Sequence, residues 1–209
     1  MEIVWHGHSF FRIRAREATI VFDPNGRSKA GRVQADLALV SHDHPGHNNV
    51  EAITGASRVL TRPGEYEIRG VSIVGVQAAH DADGGRKRGR NIAWIVHAED
   101  ISVCHLGDLG HPITSDQAQA IGAIDILLVP VGGHNTINAA QAAEIVTTLE
   151  PRVVIPMHFA QPGSDSALAT VDGFLREQGA RGIEPQPRYA VSSRAALPPE
   201  TQVFLLEPR

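Results

Sequence analysis

Short apolar runs that end in turn-forming residues dominate the first part of the chain. The runs with the length and the β-branched or aromatic content of strands are 10–14, 19–23, 37–40 and 57–61. Residues 65–79 alternate between apolar and polar around Arg69 and Gly70, and residues 92–106 do so around a turn at Glu99. The pattern therefore predicts single strands followed by two hairpins, with a short helix at 49–53.

Strand and helix patterns alternate in the remainder of the chain. The expected strands are 126–131, 153–157 and 203–206, and the expected helices are 114–121, 138–149 and 167–178. Thr114 and Asn138 each stand three residues before a glutamine, which is the spacing of a capping box. Since helices must cover sheet faces, we expect an α+β fold of two mixed sheets packed face to face with helices outside. No repeat or linker divides residues 1–209, which we interpret as one domain.

Composition and charge exclude several broad classes. Hydrophobic residues make up 42% and charged residues 20%, as in ordinary globular proteins. A net charge of −4 argues against a generic nucleic-acid binder. The single cysteine, Cys104, allows no internal disulfide and fits a reducing compartment. The longest apolar stretch, 124–131, is too short to span a membrane, and the opening residues carry no targeting pattern, so we expect a cytoplasmic protein without membrane contact.

Histidines follow the ends of the expected strands. The chain has 11 histidines. Six of them and one aspartate come after apolar runs: His42, His44, His47, His80, His105, His158 and Asp108. Side chains at strand ends converge on one rim of a sheet, where ligand sites commonly lie. Imidazoles together with a carboxylate form a donor set for a divalent metal.

The segment His42-Asp43-His44-Pro45-Gly46-His47 has the strongest metal-binding signal. Residues two apart in an extended chain point to the same side, so His42 and His44 suit one metal ion. His47 lies beyond a Pro-Gly turn and would reach a second position. Each candidate has a structural alternative: a solvated loop for this segment, a turn carboxylate for Asp108, and a core histidine at the other strand ends.

Two loops are candidates for contacting a substrate. Residues 86–90 form the only dense basic run, which is either a solvated surface loop or a means of steering an anion toward the site. Residues 132–137 form the second loop. The candidate substrate-binding residues in these loops are Arg86, Arg88, His134 and Thr136.

These motifs together resemble the metallo-β-lactamase superfamily. Its first motif, His-x-His-x-Asp-His, corresponds to residues 42–47, and its later elements correspond to His80, Gly107-Asp108 and His158 in the same order. The opening residues 5–10, the Asp23-Pro24 pair and residues 130–133 look like the branch that contains ascorbate-6-phosphate lactonase-like hydrolases. The resemblance runs from residue 1 to about residue 160 and implies a four-layer αβ/βα sandwich with a metal site at one edge.

The resemblance also implies roles for individual residues. The implied ligands are His42, His44 and His80 for a first metal, His47 and His158 for a second, and Asp108 as the bridge. His8, His105 and Asp23 would lie close by and orient ligands or substrate, so Asp108, His105 and His8 are the catalytic candidates. The cofactor would be a divalent metal, one or two ions per chain, with zinc ranked before manganese, iron or nickel. The implied reaction is cleavage of an ester-type bond, in a lactone or a phosphodiester, by a metal-bound hydroxide.

Gly46 departs from the pattern of this family. The motif has an aspartate where this chain has Gly46, and glycine has no side chain that could bind a metal. The second site could be weakly occupied, His8 could substitute, or the protein could use one metal. Because an anionic ligand is missing, the site keeps more positive charge, and we expect a small anionic substrate.

Other functions stay open at this stage. One is a non-catalytic metal-binding or ligand-sensing protein that retains the fold. Another is a nuclease of the same fold, which the negative net charge and the lack of room for an RNA-binding insertion disfavour. A redox di-iron role is disfavoured because the first motif lacks the acidic residues typical of that branch. A homo-oligomer is possible, although no sequence pattern shows one.

Overall fold

Short strands make up most of the regular structure. The computed structural model describes residues 1–26, 31–162 and 167–209. In these ranges the strands are β1 (Glu2–Trp5), β2 (Phe11–Arg14), β3 (Thr19–Phe22), β4 (Val33–Gln34), β5 (Leu37–Leu39), β6 (Ile53–Thr54), β7 (Arg58–Leu60), β8 (Gly64–Ile68), β9 (Val71–Ala79), β10 (Arg90–Ala98), β11 (Ile101–His105), β12 (Ile126–Pro130), β13 (Val153–Met157), β14 (Tyr189–Ala190) and β15 (Gln202–Val203). The helices are α1 (Ser115–Ile121), α2 (Ala139–Leu149) and α3 (Asp172–Glu177), with 3-10 turns at Val50–Ala52 and Arg194–Ala196.

The strands form two mixed sheets and one small pair. The six-stranded sheet has the order β14-β1-β2-β3-β5-β7, and the seven-stranded sheet has the order β15-β13-β12-β11-β10-β9-β8. In the first sheet β3, β5 and β7 are parallel, and in the second β11, β12, β13 and β15 are parallel. Because β9 and β11 are both antiparallel to β10, they run in the same direction as β13. Their carboxyl ends therefore lie at one edge of the sheet.

The main core lies between the two large sheets. Ile20 and Phe22 of β3 face it and are fully buried, together with Trp94 and Ile126 from the opposite sheet. Burial of each such side chain contributes roughly 1.5–3 kcal/mol. Val21 points the other way, into a smaller cluster that covers the outer face of the first sheet.

The helices cover the outer face of the seven-stranded sheet. α1 packs on β9, and α2 packs on β12 and α3. Both α1 and α2 begin with the capping boxes that the sequence predicts: the Gln117 backbone N–H donates to Thr114 Oγ1 and the Gln141 N–H donates to Asn138 Oδ1. Two mixed sheets with outer helices confirm the predicted α+β sandwich. Among the described residues, no helix is both long and apolar enough to cross a membrane.

Some elements differ from the sequence predictions. The helix expected over 167–178 begins only at Asp172, because the backbone of Ala169 bonds outside a helix, its N–H to Gly132 O and its C=O to Ala160 N. The strand expected over 203–206 is the shorter β15, and the helix expected at 49–53 is a single 3-10 turn.

Candidate metal centre

One carboxylate oxygen lies at the centre of a histidine cluster. Oδ2 of Asp108 lies 3.2 Å from Nε2 of both His47 and His158, 3.4 Å from Nε2 of His80 and 3.8 Å from Nε2 of His42. His80 follows β9, Asp108 follows β11 and His158 follows β13. The common direction of these strands therefore brings the predicted residues to one rim of the molecule.

Most of the donor atoms fall into two sets that share no residue. His42, His44 and His80 offer ring nitrogens that lie within 4.8 Å of one another. His8, His47, Asp108 and His158 form a second set that meets the same limit. Asp108 contacts members of both sets, as a bridging carboxylate would. The resemblance implied this division without assigning His8 to either set.

A buried network behind the cluster fixes the tautomers of two histidines. Ser41 donates its backbone N–H and its hydroxyl to the carboxylate of Asp23, at 2.7 and 2.6 Å. The hydroxyl oxygen can then only accept from Nδ1 of His42, at 2.8 Å. His47 likewise donates its Nδ1–H to Asp23, at 2.9 Å. Both Nε2 atoms are therefore turned toward Asp108, as second-sphere bonds commonly arrange for metal ligands.

Electrostatics prepare the cluster for a cation. Burial and the neighbouring His47 lower the pKa of His42 to about 3, so its ring is neutral. Burial alone would lower the pKa of His47, but the charges of Asp108 and Asp23 outweigh it and raise that pKa to about 10. Burial opposes ionisation of Asp108, yet His158 and His47 hold its pKa well below the ordinary value. Asp108 is therefore a buried anion.

The residues present fit a divalent metal ion. Nε2 of His42 is buried and has no hydrogen-bond partner among the described residues. Asp108 is 4% exposed, and in the described part of the chain its ion pairs are all with histidines. A buried carboxylate without arginine or lysine needs positive charge from another source, which protonated histidines or a cation bound among neutral ones can supply. Imidazole and carboxylate donors suit zinc and its first-row neighbours.

A tight turn holds Asp108 in place. Gly107 has a φ of +57°, and a Cβ there would overlap Oδ1 of Asn91 and lie 2.6 Å from Cβ of Ser41. The fully buried Asn91 side chain accepts from Asp108 N at 3.0 Å and donates to Leu106 O at 2.8 Å. Sequence reasoning missed Asn91, since a lone polar residue in a strand forms no recognisable motif.

The structure does not bring His105 into the open part of the site. Its ring is fully buried and stacks on Phe22 with centroids 4.9 Å apart. Nε2 donates to Ser9 O at 2.8 Å, and Nδ1 accepts from Gly107 N at 3.1 Å. With both nitrogens bonded to backbone, His105 cannot take part directly in catalysis. This corrects the catalytic role expected for His105, which supports the turn at Gly107 instead.

A cavity of about 310 Å³ opens onto the cluster. Besides residues of the two donor sets, Arg88, His134, Asn135 and Leu168 line it. Arg88 and His134 were expected there, and Asn135 belongs to the candidate loop 132–137 without having been singled out, whereas Leu168 follows no motif and was not identified. Arg86 and Thr136 do not line it. Thr136 turns into its own loop and donates its hydroxyl to Gly133 O at 3.1 Å. The structure therefore does not bring either residue to the cavity where a substrate contact was expected.

The basic loop is organised by one carboxylate. Oδ1 of Asp81 accepts from the backbone N–H groups of Asp83 and Gly85, and Oδ2 accepts from those of Lys87 and Arg88, at 2.7 to 3.0 Å. Arg88 lines both the cavity of about 310 Å³ and a neighbouring cavity of about 630 Å³. The loop is thus a defined structure at the mouth of the site.

Comparison with known proteins identifies the family. A model of the beta-lactamase superfamily domain matches residues 2–158. A crystal structure from Thermotoga maritima, assigned to the metallo-β-lactamase superfamily, has 36% sequence identity and a TM-score of 0.82, and the match covers 98% of this chain and 97% of that one. The chain belongs to the metallo-β-lactamase superfamily. This confirms the family inferred from the motifs.

Two further proteins extend this comparison. The UPF0173 metal-dependent hydrolase of Pyrococcus horikoshii is 31% identical over 193 residues, which cover 76% of this chain and 84% of that protein. A metallo hydrolase from Ignicoccus hospitalis has a TM-score of 0.69 at 20% identity over 91% of this chain and 99% of its own, and shows the shared fold. The lactonase-like branch suggested by the opening motifs stays a prediction.

Proposed function

We propose that this superfamily member is a metal-dependent hydrolase with a dinuclear centre that cleaves an ester-type bond in a small anionic molecule. The observation that carries the proposal is the single oxygen of Asp108, with four imidazole Nε2 atoms 3.2 to 3.8 Å away at the floor of an open cavity. Several relatives support the reaction class, since the P. horikoshii protein is named a metal-dependent hydrolase and the T. maritima protein a candidate zinc-dependent one.

The chain's own residues divide the work of such a site. His42, His44 and His80 would hold one ion, and His47 and His158 would hold the other, with Asp108 between them. When bound, divalent ions supply Lewis acidity and lower the pKa of water to about 7. Asp23 and Ser41 keep His42 and His47 in the tautomers that present Nε2. Asn91 holds the peptide of Asp108, so the carboxylate does not have to reorganise.

The charges around the cavity favour an anionic substrate. Asp108 is the only acidic side chain among the described residues that line it, and Gly46 adds no carboxylate. Arg88 lines the cavity, where it could bind a phosphate or carboxylate group of the substrate. We propose phosphorylated lactones and phosphodiesters as the first classes to examine.

A panel assay with a matched pair of variants tests this function. We expect metal-loaded protein to hydrolyse phosphorylated lactones or phosphodiesters, to lose the activity with a chelator and to regain it with added metal. Arg88→Ala should raise KM about tenfold or more, the usual value of a charged hydrogen bond. Arg86→Ala, which removes an equal charge two residues away and outside the cavity, should leave KM unchanged.

Two results would contradict the proposal. If neutral lactones of similar size are cleaved as well as anionic ones, the argument from charge fails. If fully metal-loaded protein hydrolyses none of these compounds, an ester-cleaving function is wrong, and ligand sensing by the same fold becomes the better interpretation.

A further inference from the structure

The imidazole of His8 reaches the cluster from the end of a strand that supplies none of the other donors. It follows β1, whereas the other donors follow β5, β9, β11 and β13. Nε2 of His8 lies 3.2 Å from Nε2 of His47, and the ring centroid lies 4.1 Å from that of His158. His8 thus contacts two of the three residues assigned above to the second ion.

Three of the six donor–donor separations within this set match those of ligands on one ion. Zinc binds imidazole nitrogen at about 2.0–2.1 Å in a tetrahedral arrangement, which places two ligand atoms about 3.3 Å apart. The pairs His8–His47, His47–Asp108 and His158–Asp108 are each 3.2 Å apart between the donor atoms. Two imidazole nitrogens at that distance require a proton or a cation between them. A single ion shared by the four groups satisfies this requirement.

Gly46 leaves room for the ring of His8. A Cβ added at Gly46 would lie 3.4 Å from Nε2 of His8 and 3.6 Å from its Cδ2. The imidazole therefore occupies the space into which a side chain at position 46 would extend. A donor on Gly46 and a donor at His8 would compete for the same volume.

The backbone of His8 is held in an uncommon conformation. Its φ is +55°, in the left-handed region, which costs a non-glycine residue roughly 1–2 kcal/mol. Two donors fix its carbonyl oxygen: Nε1 of the buried Trp5 at 2.9 Å and the backbone N–H of His158 at 3.2 Å. The second bond ties the conformation of His8 directly to a neighbouring donor of the cluster. Strain that the surroundings enforce at this position points to a role for the side chain.

We propose that His8 is the fourth protein ligand of the second metal ion, through Nε2, with His47, Asp108 and His158. This rests on the proposed dinuclear centre and gives the second ion three neutral nitrogens and one carboxylate. Such a donor set favours zinc and the later first-row metals over magnesium or calcium.

Metal content of substituted proteins tests this assignment independently of any substrate. His8→Asn removes the imidazole and keeps a residue that tolerates the left-handed backbone. The matched control is His134→Asn: His134 also has a positive φ, +61°, and lines the same cavity, but belongs to neither donor set. Each protein is loaded with Zn²⁺, dialysed and analysed by elemental mass spectrometry. Cobalt(II) absorption reports the coordination of the bound ions.

We expect about two equivalents in the unsubstituted protein and in His134→Asn, and about one in His8→Asn. Gly46→Asp introduced into His8→Asn should restore the second equivalent, because the new carboxylate begins beside the vacated volume, and such restoration also shows that the substituted chain folds. A His8→Asn protein that keeps the unsubstituted metal content and cobalt spectrum overturns the assignment of His8 while leaving the proposed function intact. An unsubstituted protein that binds no zinc overturns the proposed function itself.

Discussion

At the scale of single residues, Asp108 connects the fold to the proposed chemistry. It is a buried anion whose oxygen contacts histidines from three separate segments. A buried carboxylate is strongly unfavourable without compensating charge. Protonated histidines can supply this charge, and the same cluster is able to bind a metal ion that would supply it instead.

Replacement of this carboxylate by an amide tests its role directly. Asp108→Asn keeps the size of the side chain but removes its charge, so both ions should bind more weakly. We expect hydrolysis to fall by roughly two orders of magnitude or more, with fewer metal equivalents per chain. An active Asp108→Asn protein with full metal content would show that Asp108 does not bridge the metals.

Cys104 is a potentially reactive side chain that the fold keeps away from solvent and from the metal cluster. It is fully buried in β11, and burial raises the pKa of its thiol. We expect no reaction with a thiol reagent in the native protein and full reaction after denaturation. Rapid modification of the native protein would mean that β11 opens or that the thiol is accessible.

The residues that could be predicted are those with a motif. The histidines of residues 42–47 follow a buried strand and are spaced as in the family motif. His80, Asp108 and His158 each also come after a predicted strand. Asn91 escaped prediction because a single polar residue forms no pattern, and Asn135 was predicted only as part of the loop 132–137. His105 was misassigned, since strand-end position does not reveal which ring nitrogens are bonded inside the fold.

At the scale of elements, the turn after β11 allows only glycine at position 107 without displacing its neighbours. Gly107 combines a positive φ with close neighbours on both sides. A side chain would displace Asn91 or Ser41, and both belong to the network that positions the ligands.

Two alanine substitutions separate crowding from backbone strain. Gly122, after α1, also has a positive φ, +68°, but a Cβ there meets nothing within 4 Å. We expect Gly122→Ala to cost about 1 kcal/mol and Gly107→Ala roughly 2–4 kcal/mol in the free energy of unfolding, with metal lost only from the latter. Equal decreases in the free energy of unfolding, measured by denaturant titration, would mean that the side chains around Gly107 can move aside at little cost.

The loop after His80 depends on the ionised form of Asp81. Desolvation opposes ionisation, but bonds from Arg88, Gly85, Asp83 and Lys87 lower the pKa of Asp81 to about 2. Because this lies below the ordinary value of about 3.9, the stabilisation is present at neutral pH and is lost only as the pH falls toward 2. We expect amide exchange protection in residues 83–88 to persist from pH 7 to pH 4, and to be lost at neutral pH in Asp81→Asn. Protection that disappears near pH 4 would contradict the lowered pKa.

Element prediction succeeded where local signals were strong. The capping boxes located the starts of α1 and α2, and the apolar runs located β2, β3 and β5. The strands β1 and β14 were not predicted. The helix expected from residue 167 was too long, because bonds from Ala169 to distant backbone groups override the local preference for helix.

At the scale of the whole molecule, the directions of strands in two sheets place the site. The alternation of hairpins and later strand–helix units was sufficient to predict an α+β sandwich, and the family comparison confirms the fold. Sequence motifs could not show which donors share an ion, since that depends on how the ends of β1, β5 and β13 meet in space. The single-domain assignment, cytoplasmic location and homo-oligomerisation stay predictions.

The central claim is that this rim binds two divalent ions. Elemental mass spectrometry of protein purified without chelator, reported as metal equivalents per chain, tests it most directly. We expect about two equivalents. About one equivalent would contradict binding of two ions, and a protein that holds no metal, even after incubation with zinc, manganese, iron and nickel, would contradict metal binding altogether.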